Sequence, residues 1–161
     1  MMRIVRTAAG ILALFWMCVI FAFSAQEQEE SSAVSESFSY RMVCSADSFL
    51  GLNWDDERLH EIADAIEGYV RKAAHMTEYA VLACIFLANA VQYPRWKKRA
   101  YLWGWLGATV YAATDEFHQL FIEGRSGEFK DVCIDSLGAC IGLLAARCAI
   151  WIWGKIFYRK R

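Results

Sequence analysis

His75 and Glu78 stand three residues apart with Tyr79 beside them, and Asp115 and Glu116 are adjacent, with Gln119 four residues beyond Asp115. On helices these spacings put a proton-exchanging imidazole next to a carboxylate and stack an amide above an acid. Crowded, partly desolvated carboxylates raise one another's pKa, the usual route to a general acid or base, so His75, Glu78, Asp115 and Glu116 are the candidates for catalysis. Arg71, Lys72 and Arg125 are the cations of the same stretches, and a guanidinium takes phosphate or carboxylate in a bidentate fork. With Tyr79, Gln119, Asp131 and Asp135 they form the candidate substrate-binding set, suited to a lipid phosphate headgroup or a lipid-linked cell-wall precursor.

A weaker alternative is a divalent metal held by His75, Glu78, Asp115, Glu116 and Asp135, a hard-cation or zinc shell whose ligand number the sequence does not fix. The expectation is therefore no cofactor. Three readings stay open: an enzyme working on a lipid phosphate, a binding pocket that breaks no bond, and an ion network that only sets helix register.

The elements that must position these residues are membrane-length. Of 161 residues, 57% are hydrophobic. Soluble domains usually hold about 45 to about 50%, so the excess points to lipid rather than to a larger core. The reading is all-α: a single domain over 1–161, with four transmembrane helices at about 7–24, 73–93, 100–122 and 131–154. The outer segment 26–72 opens as a Glu- and Ser-rich surface loop at 26–39. It ends in an amphipathic helix capped by Asp55, with Leu59, Ile62, Ala63, Ile66 and Val70 on one face. That helix either lies on the membrane surface or caps the bundle, and Gly68 marks its bend into the bilayer.

Arg3 and Arg6, the Arg95 to Arg99 link, and Lys155, Arg159, Lys160 and Arg161 hold no acid among them. The positive-inside rule puts all three segments in the cytoplasm, giving a multi-pass plasma-membrane protein with both termini inside. A cleaved signal peptide is the rival for the first span, but the apolar run is longer than signal peptides usually carry. Trp96, Trp103, Trp105, Trp151 and Trp153 fall at the cytoplasmic ends as an aromatic belt, while His118 and Lys130 anchor the outer interface. Only Cys44 and Cys133 lie outside apolar runs, and two isolated cysteines make no disulfide framework. Nothing in the chain reads as a nucleic-acid patch, a nucleotide loop or a nucleophile elbow.

Helix rise puts Glu78 about 7 Å, Asp135 about 6 Å and Asp115 about 10 Å from the outer ends of their segments, one common level. Ionisable groups at that depth cost on the order of 2.5 to 3.5 kcal/mol each unless paired, so one shared, outward-facing polar pocket is expected. Gly138 and Gly142 lie on the stripe that carries the aspartates and permit close helix approach.

The blocks RKAAHMTEYA (71–80), TDEFHQLFIEGRSGEFKDV (114–132) and IDSLGACIGLL (134–144) resemble the hallmark segments of the VanZ-like family, in the same order and with the same intervening spans. The exit of the first helix, Phe23-Ser24-Ala25-Gln26, resembles that family as well, with Ala25 where a second serine is common. Glu123 stands where a proline often precedes Gly-Arg. The resemblance implies an integral membrane protein associated with lowered sensitivity to teicoplanin-type, lipid-tailed glycopeptides. It implies no particular reaction.

Overall fold

The structure, a computed structural model, describes residues 2–158, with side chains described over 4–156. Arg159, Lys160 and Arg161, read above as cytoplasmic charges, lie outside the described residues, as does the side chain of Arg3. The described chain holds six α-helices and no strand: α1 (Met2–Ser24), α2 (Gln28–Leu50), α3 (Asp56–Ala90), α4 (Pro94–Lys97), α5 (Ala100–Gln119) and α6 (Phe129–Tyr158).

Helix α3 is the hub, packing against α1, α2, α5 and α6. Its closest neighbour is α6, and the cause is local. A Cβ on Gly142 would stand 2.7 Å from the Ala80 carbonyl oxygen, and one on Gly138 would strike the Met76 backbone. Only a side chain of hydrogen allows this approach. Gly104 plays the same part between α5 and α3, where a Cβ would come 2.9 Å from the Ala83 carbonyl. Small residues (Ala83, Ala90, Ala100, Ala108, Ala112, Ala139) therefore make up much of the core, with Tyr79, Leu82 and Ile20 filling what remains.

Three helices are long and apolar enough to cross a membrane: Ile4–Ser24, Asp56–Ala90 and Phe129–Ile156. Helix α5 also has a membrane-spanning length, but its acids and scattered aromatics lower its hydropathy. Arg6 donates to the Gln92 carbonyl at 2.8 Å and covers the Tyr93 ring, so the N-terminal arginine and the basic α4 link share one end of the bundle.

The segment 26–39 departs from its expected loop: most of it is the first half of α2, a 23-residue helix. Glu29 and Glu30 favour its N-terminus through the helix dipole. Its inward face is polar: Ser32 accepts from Arg71 at 3.0 Å and Ser35 donates to Glu67, while on the exposed flank Tyr40 donates to Asp56 at 2.6 Å. These partners set an antiparallel α2–α3 register. The amphipathic stretch after Asp55 is consequently not a separate helix. It is the first part of the 35-residue α3, with Ala63 buried and Ile62, Ile66 and Val70 partly covered. Asp55 caps α3 as expected, accepting from the Arg58 N–H at 2.9 Å. Helix α3 runs through Gly68 without interruption, and the glycine stands in open space. The turn between α2 and α3 uses Gly51 in the left-handed region (φ 65°), its N–H closing on the Asp47 carbonyl at 2.8 Å.

Trp105 also departs from its place in the belt. It is partly buried against the core, its indole donating to the Ser136 carbonyl at 3.3 Å, whereas Trp96, Trp103, Trp151 and Trp153 remain exposed.

Candidate functional site

A cavity of about 180 Å³ opens at the end of the bundle opposite Arg6. Helix α3 supplies Arg71, Lys72 and His75; α5 supplies Glu116 and Gln119; the loop after α5 supplies Arg125 and Ser126; α6 supplies Asp131, Ile134 and Asp135. Eight of the eleven expected site residues thus meet around one space. The loop is pinned to the bundle. A Cβ on Gly127 would collide with the Glu116 carbonyl, and the Glu128 N–H donates to Glu116 Oε2 at 3.0 Å.

The other three, Glu78, Tyr79 and Asp115, lie beneath the cavity rather than in its wall. Helix phase is the reason, since adjacent residues on a helix point about 100° apart. Glu116 lines the cavity while Asp115 turns into the core. Asp115 is 3% exposed and accepts from Ser24 at 2.6 Å and, weakly, from Gln119 at 3.5 Å. Its Oδ1 is buried without a hydrogen bond, and the fully buried Tyr79 hydroxyl stands beside the same carboxylate without meeting hydrogen-bond geometry. Glu78 backs His75, Oε2 to Nδ1 at 3.4 Å, and its carbonyl receives the Trp16 indole at 3.0 Å.

The cations differ in how they are held. Lys72 pairs with Asp131 at 2.5 Å across the α3–α6 seam. Arg71 turns back to Glu67 at 3.4 Å and to Ser32. Arg125 is half-buried and makes no ion pair or side-chain hydrogen bond among the described residues. Burial and then the neighbouring Arg71 push its guanidinium below the ordinary value, while Asp115, Glu116 and Glu78 pull the other way. Asp135, 3% exposed, is likewise without a side-chain hydrogen bond, facing His75, Glu116, Asp115 and Asp131. Among the described residues no three His, Cys, Asp or Glu side chains converge tightly enough to hold a metal ion.

Sequence reasoning missed two contributors. Gln28, at the first turn of α2, lines the cavity and reaches it because its N–H bonds the Glu123 carbonyl at 3.4 Å. Ser24 is tied to Asp115, and its sequence signals, a polar residue closing an apolar helix and a place in the exit segment that resembles the family, give it no role in the site. His118 stacks on Phe21 at 4.4 Å between ring centres, away from the cavity.

Apolar helices of membrane length, locked by small residues and gathering buried ions at one end, define a small polytopic α-helical membrane protein. The chain belongs to the VanZ/LLP1 family, whose family model matches residues 9–153. No curated protein and no solved structure matches it.

Proposed function

We propose that the protein crosses the plasma membrane four times with both termini in the cytoplasm, that its cavity opens outward, and that it modifies or shields the cell envelope so as to lower sensitivity to teicoplanin-type glycopeptides. The fourth span in this reading is α5, whose acids Asp115 and Glu116 turn inward and so spare lipid their charge. The observation that carries the reading is the cavity, where all three family-like blocks supply cations and carboxylates around one space. Lipid headgroups, lipid-linked precursors and lipid-tailed antibiotics all present polar groups at that depth.

Expression in a sensitive Gram-positive host is expected to raise tolerance to a lipid-tailed glycopeptide more than to a tail-less one. Asp115→Asn or Arg125→Ala is expected to remove the effect at unchanged protein level. Full tolerance in both variants would refute the site, and no difference between the antibiotics would refute the glycopeptide link. Orientation has its own check: an impermeant thiol reagent on intact cells should label a cysteine at Ser31 and miss one at Lys97.

A second reading has one observation in its favour. His75 lines the wall with Glu78 behind it at 3.4 Å, an imidazole beside a carboxylate in the same space as Arg125. Imidazole and carboxylate so close, though not hydrogen-bonded, suit a membrane enzyme acting on a lipid-linked phosphate, with His75 moving the proton. Copy number separates the two readings, since a catalyst protects at trace amounts whereas a shield must approach the amount of its ligand.

A further inference from the structure

Most charges around the cavity have a partner: Arg71 has Glu67, Lys72 has Asp131, His75 has Glu78, and Glu116 accepts the Glu128 N–H. Two do not. Asp135 is 3% exposed and Arg125 half-buried, and each lines the cavity without a side-chain hydrogen bond or ion pair among the described residues. A carboxylate that is almost wholly buried and unpaired is costly, so its persistence at the wall of an open space points to a counter-group brought from outside.

On the reading that the cavity receives a headgroup, we propose that this headgroup is a phosphodiester bearing a primary amine, of the phosphoethanolamine type. Its phosphate sits on Arg125, which offers a planar fork of donors, and its ammonium sits on Asp135. Each end of such a zwitterion cancels one of the two open charges, so the filled cavity gains no net charge. A sugar hydroxyl would satisfy hydrogen bonding at Asp135 and leave its charge uncompensated. A quaternary amine is the wrong chemistry. It donates no hydrogen bond and is held by aromatic cages, whereas among the described residues the wall has no Trp, Tyr or Phe. A primary ammonium has three donors, and Glu116 is a second carboxylate in the same wall. The cavity, about 180 Å³ in volume, accommodates such a group with water around it.

The test uses the full chain in detergent, titrated with short-chain phosphatidylethanolamine, phosphatidylcholine and phosphatidic acid, and separately with soluble glycerophosphoethanolamine. Binding is read by calorimetry. Phosphatidylethanolamine should bind about tenfold or more tighter than phosphatidylcholine, the size of a charge-assisted contact. Asp135→Asn should bring those two within about twofold, while Arg125→Gln should weaken phosphatidylethanolamine and phosphatidic acid alike. Competition by glycerophosphoethanolamine as strong as by the lipid would assign the site to the headgroup alone, and its failure would assign it to a membrane-embedded lipid. Equal binding of ethanolamine and choline lipids by the unaltered protein overturns the proposal without any variant, as does a preference that survives Asp135→Asn. Loss of glycopeptide tolerance in Arg125→Ala alongside equal lipid binding would reject the ligand class and leave the functional reading standing. An ethanolamine preference with no tolerance phenotype would do the reverse.

Discussion

The α2–α3 hairpin and the cavity are both built from ions and hydroxyls that meet along α3, yet the hairpin pairs its charges and the cavity leaves two of them open. In the hairpin Glu67 meets Arg71 and Ser35, Ser32 meets Arg71, and Tyr40 meets Asp56. In and just beneath the cavity, Arg125 and Asp135 have no side-chain hydrogen bond or ion pair among the described residues, and one oxygen of Asp115 is orphaned there too. Polar groups that close on one another fix a register, whereas groups held open store unfavourable energy that a ligand can release. The contrast separates two roles for similar residues a few helical turns apart.

The most drastic way to break the contrast is to remove the frame both regions share. Gly138→Leu must push α6 off the Met76 backbone, and overpacking of this kind costs about 1 to 3 kcal/mol. We expect loss of a monodisperse peak and of cooperative melting in detergent. A sharper test is Glu67→Ala, which takes from Arg71 its ion-pair partner and from Ser35 its side-chain acceptor. Thermal unfolding should show a destabilisation of about 1 to about 2 kcal/mol. The cavity should answer with the opposite sign. Asp135→Asn deletes an unpaired buried charge and is expected to stabilise by about 1 kcal/mol, and a loss instead would mean that Asp135 is paired in the folded protein.

Smaller effects refine the comparison. Glu78 and Asp135 both face His75. Glu78→Ala and Asp135→Ala should therefore couple by about 0.5 kcal/mol or more in a double-mutant cycle, and clean additivity would make them separate contacts. Tyr40→Phe comes last. Its partner Asp56 sits on the exposed flank of the hairpin, and no change in melting is expected.

What was legible in the sequence followed from apolar periodicity and helix spacing. The glycine pair at 138 and 142, the Asp55 cap and the meeting of the three polar blocks are local patterns with direct geometric consequences. Helix α2 was illegible because its seam is serine and tyrosine rather than leucine, so no apolar stripe marks the helix against its polar surroundings. The division of Asp115 from Glu116 was hidden for another reason: adjacency in sequence says nothing about which carboxylate faces the core until neighbouring helices fix the rotation. Trp105 misled because an indole near a span end has two good destinations, the interface or a buried carbonyl, and Ser136 provides the second.

Helix α3 runs uninterrupted from Asp56 to Ala90. At the helical rise per residue it is about 52 Å long. Where Met76 and Ala80 rest on Gly138 and Gly142, nothing larger than the Ala80 methyl lies between the two backbones, which makes that contact a fulcrum. Arg71 stands about 8 Å from it and Asp56 about 30 Å, both on the same arm. A sideways pull on the hairpin tip therefore reaches the cavity wall reduced about fourfold, and a sub-ångström adjustment of Arg71 appears at the tip as a swing of a few ångströms. Mechanically the hairpin is a pointer whose short end is the cavity wall.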